Sequence, residues 1–576
     1  MKLALALIIS ITSIASAYTV VFDTLPRQYQ LYQRDPSDSG TIVISGKIIG
    51  QTSDSLALTI YENRIHLLTK KNTLIFNNDS ALFSVKVRLE SKLSEYRICA
   101  SIGTDTVLKA DSVVCGDVYV MTGQSNAAAG GTGAYDWEIP EWIRSVGYTK
   151  DSTGQKLLPL FAKASYKCCF LSIKDAAAGV GMLGGNLGRL IATSENTPIC
   201  IVNGALGGSH ITQHQRNNAN PTDTSTLYGK LLMRMRLAGF DKQVKAMLYY
   251  QGEFSYSFDT YPSLFDSLYK SWHLDYPALK EIYIQQINAG CNTYFSSAKF
   301  NPLIRNFQRS LGETKPDITV MAACGAIGFD GCHYSGNGYA DLAKGWHPVY
   351  ARDFYGKDSS NITSARILTA TYSAADHKTV DLLFDMPVFW PADTMGHSMK
   401  DYITFDSAHG IIDSARTIGN TLRLYLSTGS NATTVSYIPT FYYWGDTAKA
   451  YMGPYIRNKR GLGTLTFKDY PITTSTTALL STTLPKSYFS VTPNPVSGAA
   501  RISFILDKAA TTTVNIHDYQ GRLIQHLSLG KRLSGHGNAI WNLKDYRGAK
   551  CAPGIYLISI KLNGQLSNSR KISILN

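Results

Sequence analysis

Between residues 113 and 357 the chain repeatedly sets a short, solidly apolar run before a stretch of helical period. No other feature restricts the fold as much. The apolar runs are Val118–Met121, Ile199–Val202, Ala246–Tyr250, Ile282–Ile284 and Ile318–Met321. A strand without polar alternation is covered on both faces. The helical stretches are Asn186–Ala192, Leu227–Leu237, Tyr261–Trp272, Pro302–Leu311 and Gly338–Asp353. Buried strands interleaved with helices predict a parallel α/β sheet with right-handed connections. Such sheets bind ligands beyond the carboxyl ends of their strands.

The flanks read differently. Residues 18–112 alternate apolar and polar residues in short runs such as Thr41–Ser45, Ser55–Ile60 and Leu82–Val87, the period-two mark of an antiparallel β-sandwich. β texture returns over 363–470, with no block of catalytic character. Thr473–Thr477 and Ser481–Thr483 mark 471–487 as a linker, and a last compact β module spans 488–576. A chain of 576 residues has room for about three to five domains. The expected fold class is therefore multidomain, an α/β domain at 113–357 flanked by all-β sandwich-like domains.

The first seventeen residues read as a secretory signal. Lys2 is followed by the apolar stretch Leu3–Ile14 and the small-residue site Ala15-Ser16-Ala17, so Tyr18 is the expected mature start. That stretch is too short for a stable membrane span, and no other uncharged run approaches the required length. Apolar residues at 44% and charged residues at 17% exclude a disordered chain. The net charge of +14 raises the question of a polyanion partner. From Ser487 onward eleven Lys or Arg face three Asp, a local net of +8. No aromatic-interleaved basic stripe accompanies them, so nucleic acid is not expected. Nine cysteines leave at least one thiol free or paired between chains. Cys324 and Cys332 flank a short loop and either bridge or remain buried thiols. No metal-ligand spacing is present, and His210 with His214 lacks a third ligand nearby.

Four segments at strand ends carry residues suited to chemistry. In Gly123-Gln124-Ser125-Asn126, a glycine turn would present Ser125 at the sheet edge, with N–H groups of the next segment facing an oxyanion. Taken alone, a capped strand-to-helix turn explains it equally well. Gly207 and Gly208, in Gly204–Ile211, would let backbone amides approach a ligand closely, or form an ordinary loop. In Tyr250-Gln251-Gly252-Glu253, Gln251 could donate to the same oxyanion. Glu253 is either a carboxylate partner or a solvated loop charge, and the loop charge is preferred. Asp330 and His333 are three apart, so that the carboxylate could accept from Nδ1–H and leave Nε2 to take a serine proton. Trp137 and Trp142, in the loop after Ser125, could stack on a sugar or anchor that loop.

Taken together, G-Q-S-N, G-G-S-x-I, Y-Q-G-E and D-G-x-H resemble the SGNH hydrolase superfamily, in the branch holding sialate O-acetylesterases and family 6 acetylxylan esterases. The resemblance covers about 113–357. It implies a flavodoxin-like three-layer α/β/α domain that removes acetyl groups from sugar hydroxyls with no metal and no cofactor. By position it implies Ser125 as nucleophile, His333 as base and Asp330 as its orienting acid, with Glu253 the alternative acid. The oxyanion hole would comprise the Ser125 N–H, a glycine of the 207–208 pair and Gln251. Many sialate-type members carry Pro after the His; Tyr334 stands here, which points towards the acetylxylan type. The expected partner is an acetylated polysaccharide or glycan. Val491–Val496, Asp518–Gly521 and Pro553–Tyr556 resemble the type IX secretion sorting domain. That resemblance implies type IX secretion machinery as a second partner, and a secreted or surface location in a Gram-negative bacterium.

Overall fold

The computed structural model describes residues 7–8, 18–50, 55–130, 142–167, 179–255, 257–291, 300–357, 360–474, 489–492, 494–506, 509–532 and 535–575. Most of the expected signal segment, Trp137, Cys168, Cys169 and the expected linker from residue 475 onward lie outside them. Residues 471–474 close the strand Phe467–Thr474.

The centre is the seven-strand path of an eleven-stranded sheet: β1 (Asp105–Gly123), β2 (Ile143–Lys150), β3 (Leu157–Lys163), β4 (Ile199–Asn203), β5 (Ala246–Tyr250), β6 (Glu281–Gln286) and β7 (Ile318–Ala322). Their order across the sheet is β3-β2-β4-β1-β5-β6-β7. All neighbours are parallel except the β2–β3 pair. β2 and β3 were not anticipated. Gly147 and Pro159 interrupt their apolar runs, and β3 is an edge strand, where proline is tolerated. The described helices of this region are α1 (Ser125–Ala128), α2 (Gly181–Glu195), α3 (Leu227–Ala238), α4 (Tyr261–Asp275), α5 (Asn301–Thr314) and α6 (Gly336–Tyr355).

Strand alternation places these helices on the two faces. Val320 meets α5 at Gly312, while the next residue, Met321, meets α6 at Gly345. Tyr119 of β1 packs edge-on against Tyr350 of α6, and Tyr249 of β5 packs against Phe265 and Trp272 of α4. Trp346 of α6 is fully buried and donates its indole N–H to Gln285 Oε1 at 2.7 Å. The register sets Gly123 beside Tyr250 and Met121 beside Asn203. The carboxyl ends of β1, β4 and β5 therefore finish side by side.

β1 is longer than its apolar run suggests. Its first half pairs with Tyr96–Ile102 in the N-terminal β region, and its second half is the centre of the parallel sheet. One strand thus crosses from period-two to fully buried texture. At its middle, the buried Asp117 carboxylate is held by Arg34, Lys245 and Tyr355. Burial alone would raise this carboxyl, but the bonds and charges of Arg34 and Lys245 outweigh it and hold it below the usual carboxylate range.

The β region after α6 forms a seven-stranded sheet whose core is continuous with the central one. Gln286 at the end of β6 exchanges two bonds with the Thr466 backbone, and Arg305 of α5 donates to Ile438 O at 2.7 Å. The C-terminal module has its own core between a three- and a four-stranded sheet, with Trp541 against Tyr556. Among the described residues no helix is long and apolar enough to cross a membrane.

Candidate active site

Gly123 ends β1 at φ 139°, and a Cβ there would lie 2.0 Å from Tyr250 O. Only glycine lets the chain turn this close to β5. Gln124 then occupies the N-cap of α1 without a side-chain cap bond, and Ser125 is the first helical residue. Ser125 is therefore not the cap. Its Oγ lies 3.0 Å from His333 Nε2, a separation suited to proton transfer. The N–H of Ser125 is one of the donors that a helix start leaves without an intrahelical partner.

The Gly207-Gly208 turn follows β4, with Gly208 at φ 66° and exposed. Within the described residues, the amides of Gly207 and Gly208 make no hydrogen bond. They and the Ser125 N–H are the backbone donors suited to an oxyanion here.

Gln251 sits elsewhere in the arrangement. It is fully buried, and its amide Nε2 donates to Gln124 Oε1 and Ser209 O, both at 3.3 Å. Its Oε1 accepts from Tyr249 and Tyr261. With both amide hydrogens engaged, Gln251 joins three of the four segments instead of facing an oxyanion. Gln124, which the sequence reading left without a role, completes that joint: its Oε1 also accepts from the N–H groups of Gly252 (3.1 Å) and Phe254 (3.2 Å).

Glu253 is not a solvated loop charge, the reading preferred from sequence. It is only 5% exposed, and burial pushes its carboxyl up to about 7. Its Oε1 accepts from Asn126 Nδ2 at 2.7 Å, while Oε2 makes no hydrogen bond. Asn126 also donates to Cys332 O at 3.0 Å and accepts from Tyr339 of α6 at 2.8 Å. Glu253 thus reaches His333 through Asn126 and the backbone of Cys332. Asn126 is the functional residue that sequence reasoning missed. Its place directly after Ser125 was visible, but its partners come from segments more than a hundred residues away.

The 330–333 turn follows β7. Asp330 Oδ1 accepts from the backbone N–H groups of Cys332 (2.8 Å) and His333 (2.7 Å), and the turn closes with Asp330 N to His333 O at 3.0 Å. Asp330 therefore caps the turn that aims His333. Among the described residues its carboxylate makes no bond to the imidazole Nδ1. A second fastening was also missed: Cys332 is disulfide-bonded to Cys291, and Cys291 N donates to Gly331 O at 2.7 Å. The Cys324–Cys332 bridge considered from spacing does not form. Cys324 is a buried thiol 3.0 Å from Asn288 Oδ1. Both cysteines meet the incoming 287–291 segment, Cys324 at Asn288 and Cys332 at Cys291.

His214 is buried with Nε2 on Ser209 Oγ at 2.8 Å, and burial lowers its imidazole to about 4. His210 packs edge-on to Phe254, and Trp142 packs against the core. Among the described residues no cluster of His, Cys, Asp and Glu is arranged to hold a metal ion.

Residues 115–351 match the family described as carbohydrate esterase, sialic acid-specific acetylesterase, which supports a carbohydrate-esterase domain in this segment. Residues 491–565 match the FlgD Ig-like domain family. Among solved structures, a carbohydrate acetylesterase from Xanthomonas citri is 16% identical with a TM-score of 0.50, covering 77% of this chain and 98% of its own. At that identity the likeness is one of fold. A protein from Arabidopsis thaliana is 19% identical with a TM-score of 0.31, covering 42% of this chain and 99% of its own. A family two carbohydrate esterase from Cellvibrio japonicus is 11% identical with a TM-score of 0.27, covering 58% and 98%. No curated protein matches the chain in sequence.

Proposed function

We propose that this protein is a serine esterase of the SGNH type that removes O-acetyl groups from carbohydrates through an acetyl-serine intermediate. The observation that carries the reading is the 3.0 Å approach of Ser125 Oγ to His333 Nε2 inside the segment that matches the carbohydrate-esterase family.

In the proposed reaction, His333 Nε2 takes the Ser125 hydroxyl proton as Oγ attacks the acetyl carbonyl carbon. The N–H groups of Ser125 and of Gly207 or Gly208 stabilise the oxyanion. The bond to the sugar oxygen then breaks, and that oxygen leaves with the proton from His333. Water repeats the cycle on the acetyl-enzyme, releasing acetate and restoring Ser125. Asp330 and the Glu253–Asn126 pair act as positioning residues for the His333 turn.

The proposed substrate is an acetylated plant polysaccharide of the xylan type, in keeping with Tyr334 after the histidine. Acetylated sialic acid is the second reading, favoured by the description of the matched family. We place the protein outside the cell by its N-terminal segment, and assign its C-terminal module to type IX sorting on the residues that resemble that domain.

Ser125→Ala is expected to abolish acetate release from p-nitrophenyl acetate and from acetylated xylan. Wild-type turnover by that variant would overturn the assignment. Acetate release across a panel of acetylated xylan, pectin and sialic acid separates the substrates. Binding to xylan without any release would instead favour a non-catalytic scaffold.

A further inference from the structure

A cleft of about 530 Å³ lies where the loop after β7 meets the β region that follows α6. That volume falls within the range of about 300–1,000 Å³ typical of ligand clefts. Ile327, Phe389 and Met452 line it and are 57%, 51% and 38% exposed. Trp390, Tyr455 and Arg457 complete its wall. Large apolar side chains gathered in one exposed concavity mark a binding surface rather than scattered surface residues.

One wall of the cleft adjoins the turn that carries His333. Phe329, also in its lining, directly precedes Asp330, and Phe329 bridges to Tyr334 on the far side of the His333 turn. The neighbouring strand Asp446–Ala450 abuts the same turn, because a Cβ on Gly331 would lie 2.7 Å from the Ala450 Cβ. The β region after α6 therefore builds one flank of the turn that carries His333.

The lining is mixed. Phe389 and Trp390 offer ring surface, while Arg457 stands over the Tyr455 ring at 5.9 Å with one nitrogen on Gly461 O. Thr394 lies at the rim. A sugar ring presents the complementary surfaces, an apolar C–H face and a hydroxyl edge. Aromatic faces bury the first, and guanidinium and hydroxyl groups bond the second.

We propose that this cleft is a glycan subsite, holding sugar residues that neighbour the acetylated one. The inference rests on the carbohydrate-esterase reading and adds that the substrate is a chain rather than a single sugar. The β region after α6 then sets specificity for the site next to it.

The test measures kcat/KM on acetylated xylotetraose, acetylated xylose and p-nitrophenyl acetate for the wild type, Phe389→Ala and Trp390→Ala. The wild type is expected to prefer the tetrasaccharide over the monosaccharide, and each variant to reduce that preference by about fivefold to tenfold, the scale of one ring contact. Phe389 is exposed, so its variant folds even if Trp390→Ala does not. A wild type with no chain-length preference, or a preference unchanged in Phe389→Ala, overturns the subsite while leaving the esterase reading standing. Absence of acetate release from all three substrates overturns the esterase reading, and the subsite with it.

Discussion

Glu253→Gln tests the electrostatic core of the site. The wild-type carboxyl is buried, with one oxygen on Asn126 and the other without a hydrogen bond. Burial pushes it from the usual 4.5 to about 7, and the Asn126 bond offsets only part of that cost. The gap corresponds to about 3 kcal/mol of differential stability. A raised acid means that the folded state holds the proton more tightly than the unfolded chain. Stability from this source is therefore full below pH 4.5 and falls as pH rises, until it is gone above about pH 7. Gln keeps the shape and an oxygen for Asn126 but cannot ionise, so the variant lacks that decline. Its unfolding free energy relative to wild type should rise by about 2.5 kcal/mol from pH 5 to pH 8. Urea denaturation of both proteins at each pH, at one ionic strength, measures this. Constant costs of the substitution cancel in the comparison. A wild-type-to-variant difference equal at the two pH values would refute the reasoning.

Other substitutions probe the scaffolding. Asp330→Asn keeps an oxygen for the N–H groups of Cys332 and His333, so kcat/KM on p-nitrophenyl acetate should stay within about threefold of wild type; a fall of about 10² or more would mean that the negative charge of the Asp330 carboxylate is required by His333. Replacing both Cys291 and Cys332 by Ser removes a cross-link spanning 41 residues, which should cost about 4 kcal/mol by chain entropy and lower kcat by loosening the His333 turn. Unchanged denaturation midpoints would contradict this. Asp117→Ala strands Arg34 and Lys245 without their buried counter-ion and should cost about 3–5 kcal/mol. Because Asp117 lies in the middle of β1, away from Ser125 at its end, kcat of the folded fraction should hold, as denaturation and active-site titration would show.

The apolar runs of the central region were legible in the sequence because a strand buried on both faces must be apolar throughout. Ala246–Tyr250 is read to the residue. The helix α3 was read to within one residue and α6 to within two at each end, whereas α2, α4 and α5 run three to five residues further at one or both ends. α2 extends from the expected Asn186–Ala192 to Gly181–Glu195 because burial against the sheet recruits its glycine-rich first turn. The short strands β2 and β3 escaped notice because pairing with a neighbour, not local pattern, makes them strands.

The four strand-end segments were visible from residue type and order alone. Glycine at a turn with φ 139° and a serine two residues past it, at the start of the next helix, are local requirements, written locally. What each polar side chain does was not written there. Whether Glu253 is solvated, whether Gln251 has a free amide and which cysteine meets Cys332 depend on partners 40 to more than 120 residues away. Only the assembled sheet determines which strand ends stand side by side. It buries Glu253, occupies both amide hydrogens of Gln251, and brings His333 Nε2 to Ser125 Oγ. Burial and hydrogen-bond partnership are properties of that shared space, and so the chemistry of these residues was decided by tertiary structure.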